Sequence, residues 1–171
     1  MRRLSPIAVL TAALLGCAPP APQSGEESIA APASLPTGRW VTADGAGESA
    51  LVFVPDEGGK EIALICSMGT EPTFRVETGD EAFAAVPEAA AGAILVGDVA
   101  IEGALSRMAT ETGDLVQMRT AISETLLTHI RAAQSFRLNA GNAFVVTGPV
   151  PPTERDGFAA RCASIAGVAG P

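Results

Sequence analysis

The stretch Lys60-Glu61-Ile62-Ala63-Leu64-Ile65-Cys66 decides the fold, because it predicts a buried strand that ends in a cysteine. Successive side chains of a strand point to opposite faces, so Ile62, Leu64 and Cys66 share one face. Near the other end of the chain, the sequence around Cys162 predicts a helix that carries a second cysteine. A disulfide between the two cysteines would fasten this last helix to the sheet.

The first 16 residues have the pattern of a secretory signal peptide. Met1-Arg2-Arg3 supplies the positive charge, and an apolar run extends from Leu4 to Leu15. A transmembrane helix needs about 20 apolar residues, so this run is too short to be one. We therefore expect residues 1–16 to direct export and to be removed.

The end of that run carries a further motif. Leu14-Leu15-Gly16-Cys17 resembles the lipobox of bacterial lipoproteins, which implies that Cys17 is acylated and becomes the first mature residue. Ala18 follows instead of aspartate, which is similar to the default routing of that family to the outer membrane, with the domain facing the periplasm. The alternative is a generic signal peptide cut near Ala12 or Ala18. The lipobox predicts a membrane partner through the N-terminal lipid anchor.

The charge of the mature chain is strongly negative. Removal of residues 1–16 takes away two of the 11 basic residues and leaves nine against 19 acidic ones. An acidic surface repels phosphate groups, which argues against nucleic acid and anionic lipid head groups as partners.

Composition divides the mature chain into two parts. Residues 17–38 are rich in proline, alanine, serine and glutamate, which cannot bury a core, so they predict a solvated tether. Residues 39–171 are enough for one domain with its own core. We expect that domain to be α+β, with an antiparallel sheet or small open barrel of about eight short strands and two helices.

The cysteine count supports a disulfide. With Cys17 taken by lipid, Cys66 and Cys162 form an even pair in an oxidising compartment. Two buried free thiols are the alternative. A metal site is disfavoured because the only histidine, His129, has no second ligand at a recognisable spacing, and no metal or cofactor is predicted.

Turn residues and helix signals place the later elements. The run Ala93 to Ile101 predicts one strand that turns at Glu102-Gly103, followed by two more strands of a meander that ends at Ile122. Ser123 is expected to cap a helix over residues 124–133. Asn139-Ala140-Gly141-Asn142 predicts a hairpin. Thr153 and Asp156 resemble a capping box at the start of the last helix.

The sequence offers no catalytic motif. It has no glycine-rich phosphate loop and no G-x-S-x-G, and its carboxylate pairs lie in predicted turns or in the tether. His129 lies off the apolar stripe of its helix, so we interpret it as solvated, with a catalytic base as the alternative. A deep pocket that joins His129 to a carboxylate would favour an enzyme. Trp40 is interpreted as a core residue and not as a binding platform.

Two further resemblances concern the domain. It is similar to small disulfide-bearing bacterial envelope proteins that share no known activity, and it matches them at Trp40, Cys66, Ser135, Arg137, Pro149 and Cys162. A weaker likeness is to small lipoproteins that inhibit proteases with a disulfide-bearing β-barrel. Those proteins also begin with a tryptophan strand, but the two helices and the wide cysteine spacing depart from their pattern.

These observations predict a non-enzymatic, lipid-anchored envelope protein that binds another protein or supports the envelope. The alternative is a periplasmic inhibitor of a protease or another hydrolase. A binding function predicts an exposed apolar patch of several hundred Å² with a polar rim.

Overall fold

The computed structural model describes residues 34–111 and 113–168. The predicted signal peptide, Cys17 and residues 17–33 of the predicted tether lie outside them. The elements in chain order are β1 (Gly38–Gly45), β2 (Glu48–Pro55), β3 (Ile62–Ser67), β4 (Thr73–Thr78), β5 (Ala91–Val96), β6 (Val99–Ala104), β7 (Ser106–Thr110), β8 (Gly113–Ala121), α1 (Glu124–Ala132), β9 (Phe136–Ala140), β10 (Ala143–Val146) and α2 (Pro152–Ala166). A short 3₁₀ turn at Glu81–Phe83 lies between β4 and β5.

The described strands form two antiparallel sheets and no closed barrel. The first sheet has six strands in the order β1-β2-β3-β4-β8-β7, and the second has four in the order β10-β9-β5-β6. Every pair of neighbours is antiparallel. This confirms the predicted α+β class, with ten strands where the sequence indicated about eight.

The second sheet arises from a turn that the sequence analysis placed wrongly. The predicted single strand from Ala93 to Ile101 is two strands, β5 and β6, because Gly97 and Asp98 form a two-residue hairpin turn between them. Gly97 has a φ of 62°, which glycine adopts without a steric penalty. The predicted turn at Glu102-Gly103 lies inside β6, so the predicted meander does not form.

The chain passes from the second sheet to the first at Leu105, the single residue between β6 and β7. Its N–H donates to the carbonyl oxygen of Ala90 at 3.0 Å, and its carbonyl oxygen accepts from the N–H of Ala89 at 3.0 Å. These bonds satisfy the backbone where the strand changes sheets.

α2 packs on the side of the first sheet that faces the core. α2 lies against β1, β2 and β3, and α1 lies against α2. Five of the six phenylalanines are fully buried in the core, namely Phe53, Phe74, Phe83, Phe136 and Phe158. The sixth, Phe144, is exposed on β10.

The predicted disulfide joins β3 to α2. The Cα atoms of Cys66 and Cys162 lie 5.4 Å apart across 96 positions of the chain, and both residues are fully buried. Because the loop that it closes is long, the chain-entropy treatment of the unfolded state gives it about 4–5 kcal/mol of stabilisation.

The two helices begin differently. Ser123 Oγ accepts a hydrogen bond from the N–H of Leu126 at 3.1 Å, as predicted for α1. α2 begins at Pro152 with Pro151 as its N-cap and has no side-chain cap, so the predicted capping box of Thr153 and Asp156 is wrong. Proline replaces that cap because its fixed φ suits the first helical turn and it has no N–H to satisfy.

Candidate functional site: an open strand edge and an apolar sheet face

Trp40 packs into the structure from β1. Its ring centroid lies 5.2 Å from that of Phe53, and its Nε1 donates to the carbonyl oxygen of Pro149 at 2.9 Å. Since its polar atom is satisfied within the fold, Trp40 ties β1 to the segment before α2. This agrees with its interpretation as a packing residue.

His129 lines a pocket of about 390 Å³ between α1 and the β5–β6 turn, together with Asp98 and Ser135. This is the kind of pocket that would favour an enzyme, so its geometry matters. No hydrogen bond links the side chains of His129, Asp98 and Ser135 in the described structure. A serine nucleophile, its base and its orienting acid are ordinarily within hydrogen-bond reach of one another. The pocket therefore contains residue types suited to catalysis without the contacts that would activate them.

β1 is an open edge of the first sheet. Of the described strands, only β2 pairs with it, and seven of its eight residues are exposed. The N–H of Asp56 donates to the carbonyl oxygen of Thr37, so the residue pair just before β1 is a hydrogen-bonded pair. Hydrogen-bonded and non-hydrogen-bonded pairs alternate along antiparallel strands. The backbone groups of Trp40, Thr42 and Asp44 must therefore point away from β2, towards the open side.

The outer face of β1, β2 and β3 is apolar. The register places Val41 beside Val52 and Ala63, and Ala43 beside Ala50 and Ile65. We call this surface the apolar patch. Its members are Val41, Ala43, Ala50, Val52, Val54, Ala63 and Ile65. α2 lies on the opposite side of these strands, where Cys162 bonds to Cys66, and Val41 is 41% exposed at the open edge, whereas Ile65 is only 9% exposed.

Charged residues border the apolar patch along β4. Arg75 Nε lies 2.6 Å from Glu77 Oε1, and Arg75 Nη1 lies 3.2 Å from Glu48 Oε1. Ser67 Oγ donates to Glu48 Oε1 at 2.7 Å. This hydrogen bond, followed by the hydrogen bond and the charge of Arg75, holds the pKa of Glu48 below its ordinary value of 4.5 in spite of an opposing desolvation effect. Charged side chains therefore border the patch on its β4 side.

The far end of β1 meets α2 in a polar cluster. Arg161 Nε lies 3.0 Å from Asp44 Oδ1 and donates to Ser49 Oγ at 2.8 Å, while Ser49 Oγ donates to Asp44 Oδ1 at 2.7 Å. A groove of about 330 Å³ adjoins the cluster, and Met68, 64% exposed, lies on it.

The structure tests the predicted site residues unevenly. It brings Cys66 and Cys162 together, and Cys17 lies outside the described residues. The sequence analysis missed the apolar patch, although β2 carried a signal for it. In β2 the valines at 52 and 54 alternate with Leu51 and Phe53, so the strand is apolar on both faces, a pattern that a strand with one solvated face does not show.

No helix within residues 34–111 and 113–168 is long and apolar enough to span a membrane. Searches of family models, curated proteins and solved structures find no match for the chain.

Proposed function

We propose that the protein is a non-enzymatic, lipid-anchored protein of the bacterial cell envelope, and that its domain binds another protein by pairing a strand with β1. The observation that carries the proposal is the open edge of β1 beside the apolar patch. The proposed partner contributes an extended segment and is held near the membrane by the tether and the lipid on Cys17.

The sequence of β1 supports this use of its edge. Proteins usually protect edge strands with proline, lysine, bulges or a short strand length. β1 is eight residues long and contains neither proline nor lysine, and its charged residues are Arg39 and Asp44 near its ends. An unprotected edge of this length suits strand addition, in which backbone hydrogen bonds provide affinity.

The apolar patch would provide specificity. Side chains of an added strand point alternately to the two faces of the sheet, so every second one would lie beside Val41 and Ala43. Burial of apolar surface contributes about 25 cal/mol per Å².

The lipid anchor supports the envelope location. Leu14-Leu15-Gly16-Cys17 follows a short apolar run, and the disulfide of the described domain is typical of exported proteins. Each buried CH₂ of an acyl chain adds about 0.8 kcal/mol to membrane binding, so several chains on Cys17 would anchor firmly.

A proline at one outward-facing position of β1 tests the proposal. In Thr42→Pro a proline ring replaces the outward N–H and blocks pairing with an added strand. The hydrogen bonds between β1 and β2 remain, because proline is tolerated at such edge positions. The matched control is Ala109→Pro on β7. The Thr110–Gly113 pair closes the hairpin between β7 and β8. The backbone N–H of the neighbouring Ala109 therefore also points away from β8, towards the open side.

The full-length oxidised protein and both variants would be used to capture partners from envelope extract. We expect a stoichiometric partner with wild type and Ala109→Pro, and its loss with Thr42→Pro. Bound partner should slow amide hydrogen exchange at Trp40, Thr42 and Asp44. Equal capture by Thr42→Pro, or no captured protein at all, would refute the proposal.

Protease inhibition is the second candidate, and Met68 is the observation that favours it. Met68 is 64% exposed, lies two residues after the disulfide cysteine Cys66, and donates its N–H to the carbonyl oxygen of Gly47 at 2.7 Å. A side chain presented on a constrained segment suits the specificity pocket of a protease. We expect inhibition at micromolar concentration to be lost in Met68→Ala and retained in Met108→Ala. A panel of secreted proteases left unaffected by wild type would remove this candidate.

A further inference from the structure

The outer face of the second sheet carries a second set of unusual residues. Arg137 and Asn139 lie on this face of β9, since Phe136, Leu138 and Ala140 between and beside them are buried in the core. The register places Phe144 of β10 opposite Asn139. Phe144 is the one phenylalanine outside the core, with 39% of its surface exposed.

Three polar atoms on this face are buried without a hydrogen-bond partner. They are Nε and Nη2 of Arg137 and Oδ1 of Asn139. More than nine in ten buried polar groups in proteins are paired, and an unpaired one costs about 1–3 kcal/mol. These three atoms belong to two residues that lie two positions apart on β9. A missing partner therefore explains them more readily than chance does.

The two Arg137 atoms form one fork. Nε–H and an Nη2–H lie on the same edge of a guanidinium and point in parallel, which matches the two oxygens of a carboxylate. The Cζ atom of Arg137 lies 4.2 Å from the centroid of the Phe144 ring. This stacking covers one face of the guanidinium, and the unpaired N–H groups lie in its plane.

Asn139 connects the fork to a groove. The groove has a volume of about 610 Å³ and is bordered by the outer-face residues Ala93, Glu102 and Asn139. Gly92 forms part of its floor, and a Cβ at that position would lie 2.6 Å from the backbone oxygen of Asn139. The small residues along β5 keep the groove open where Asn139 borders it.

We propose that this face binds the free C-terminus of a peptide. The terminal carboxylate accepts from Nε and Nη2 of Arg137, and the preceding amide N–H donates to Asn139 Oδ1. The rest of the peptide lies in the groove, and its apolar atoms contact Phe144. Glu102 borders the groove, so a ligand with a second negative charge is disfavoured.

Binding requires a side-chain rearrangement, because the fork is covered in the structure. Phe144 is the outermost of the three residues and lies on an edge strand, where exposed side chains change rotamer rapidly. The unpaired state of the fork reduces the cost of this opening, since the ligand supplies hydrogen bonds that the closed state lacks.

The test compares two probes that differ at a single group, N-acetyl-alanyl-alanine and its C-terminal amide. Full-length protein is titrated with each probe while the Arg137 Nε–Hε and Asn139 side-chain signals are followed by NMR. We expect both signals to shift with the acid, and the amide to bind at least about tenfold more weakly because it cannot accept the charge-assisted fork.

Variants locate the site. Arg137→Lys keeps the charge and loses the fork, so we expect about a tenfold weaker affinity for the acid. Asn139→Ala should weaken binding about fivefold, as expected for one neutral hydrogen bond. The control Arg119→Lys, on the outer face of the first sheet, should bind as wild type does. Unchanged amide spectra away from the site would show that each variant is folded.

Any of three results would overturn the proposal and leave ordered water as the partner of these atoms. They are equal binding of acid and amide, no binding of either probe at about 10 mM, and unchanged affinity in Arg137→Lys. The inference does not depend on β1. Thr42→Pro should bind the acid with wild-type affinity, so failure here and failure of the proposed strand addition are separate results.

Discussion

Arg161 of α2 donates a hydrogen bond from Nε to Ser49 Oγ of β2 at 2.8 Å, across 112 positions of the chain. Ser49 is the register partner of Cys66, and Arg161 directly precedes Cys162. The polar contact joins α2 to β2 and the disulfide joins α2 to the neighbouring strand β3, so the two links lie side by side. α2 is fixed to the first sheet at this point by a covalent bond and by a charged hydrogen-bond cluster.

Ser49→Ala should destabilise the domain by about 1–3 kcal/mol, because the buried hydroxyl accepts from Arg161 and donates to Asp44. Urea unfolding at neutral pH measures the change. Thr128→Ala, which removes an exposed hydroxyl bonded to the Glu124 carbonyl oxygen, is the control and should change stability by about 0.5 kcal/mol or less. A similar cost for both variants would show that the Ser49 cluster is not a stabilising contact.

Replacement of both Cys66 and Cys162 by alanine should lower the free energy of unfolding by about 4–5 kcal/mol, since the unfolded chain regains the entropy of a long loop. Urea unfolding of wild type and the double variant under oxidising conditions measures the difference. Reduced wild type should unfold near the midpoint of the variant. An unchanged midpoint after either treatment would contradict the prediction.

The stabilisation contributed by Glu48 should depend on pH. Because the pKa of Glu48 is lowered by folding, the folded state favours the charged form. The stabilisation is therefore complete above the unfolded pKa near 4.5 and is lost as the pH falls through the lower, folded pKa. Glu48→Gln should be less stable than wild type at neutral pH, and the difference should shrink in acid.

The pKa of Glu48 can also be measured directly by NMR titration of its carboxyl carbon. Ser67→Ala removes the main cause of the lowered value, so the titration should move back towards 4.5 in that variant. A midpoint above 4.5 in wild type, or no change in Ser67→Ala, would show that the hydrogen bond does not stabilise the charged form.

Gly92→Ala should disturb the second sheet, because the new Cβ would lie 2.6 Å from the backbone oxygen of Asn139. Overpacking of this kind costs about 1–3 kcal/mol. Gly45→Ala is the matched control, since a Cβ there meets nothing within 4 Å. Thermal unfolding of the two variants should separate them, and equal melting temperatures would mean that β5 and β9 can move apart without cost.

The sequence was sufficient where local chemistry determines the structure. The serine cap of α1 and the hairpin between β9 and β10 both match the predictions. Each depends on residue types whose preference is strong enough to survive the tertiary context, such as a hydroxyl before a helix or glycine beside asparagine in a turn.

The sequence was insufficient where the local structure depends on contacts with elements that are distant in the chain. Gly97-Asp98 lies inside an apolar run, and the apolar pattern is compatible with both a continuous strand and a hairpin. The hairpin forms in the folded domain, where β5 pairs with both β6 and β9. Arg137 was noted only as a position shared with small envelope proteins, with no role assigned to it. Whether its N–H groups have partners is a property of the folded surroundings, and no local pattern reports it.

The link between Cys66 and Cys162 also affects how the domain would respond to proteolysis. The covalent loop contains every described element from the loop after β3 to most of α2. A single peptide-bond cleavage anywhere between the two cysteines would open the loop but would leave both fragments in one molecule. The nicked protein would migrate at full mass until it was reduced, and α2 would stay attached to the fragment that carries β1.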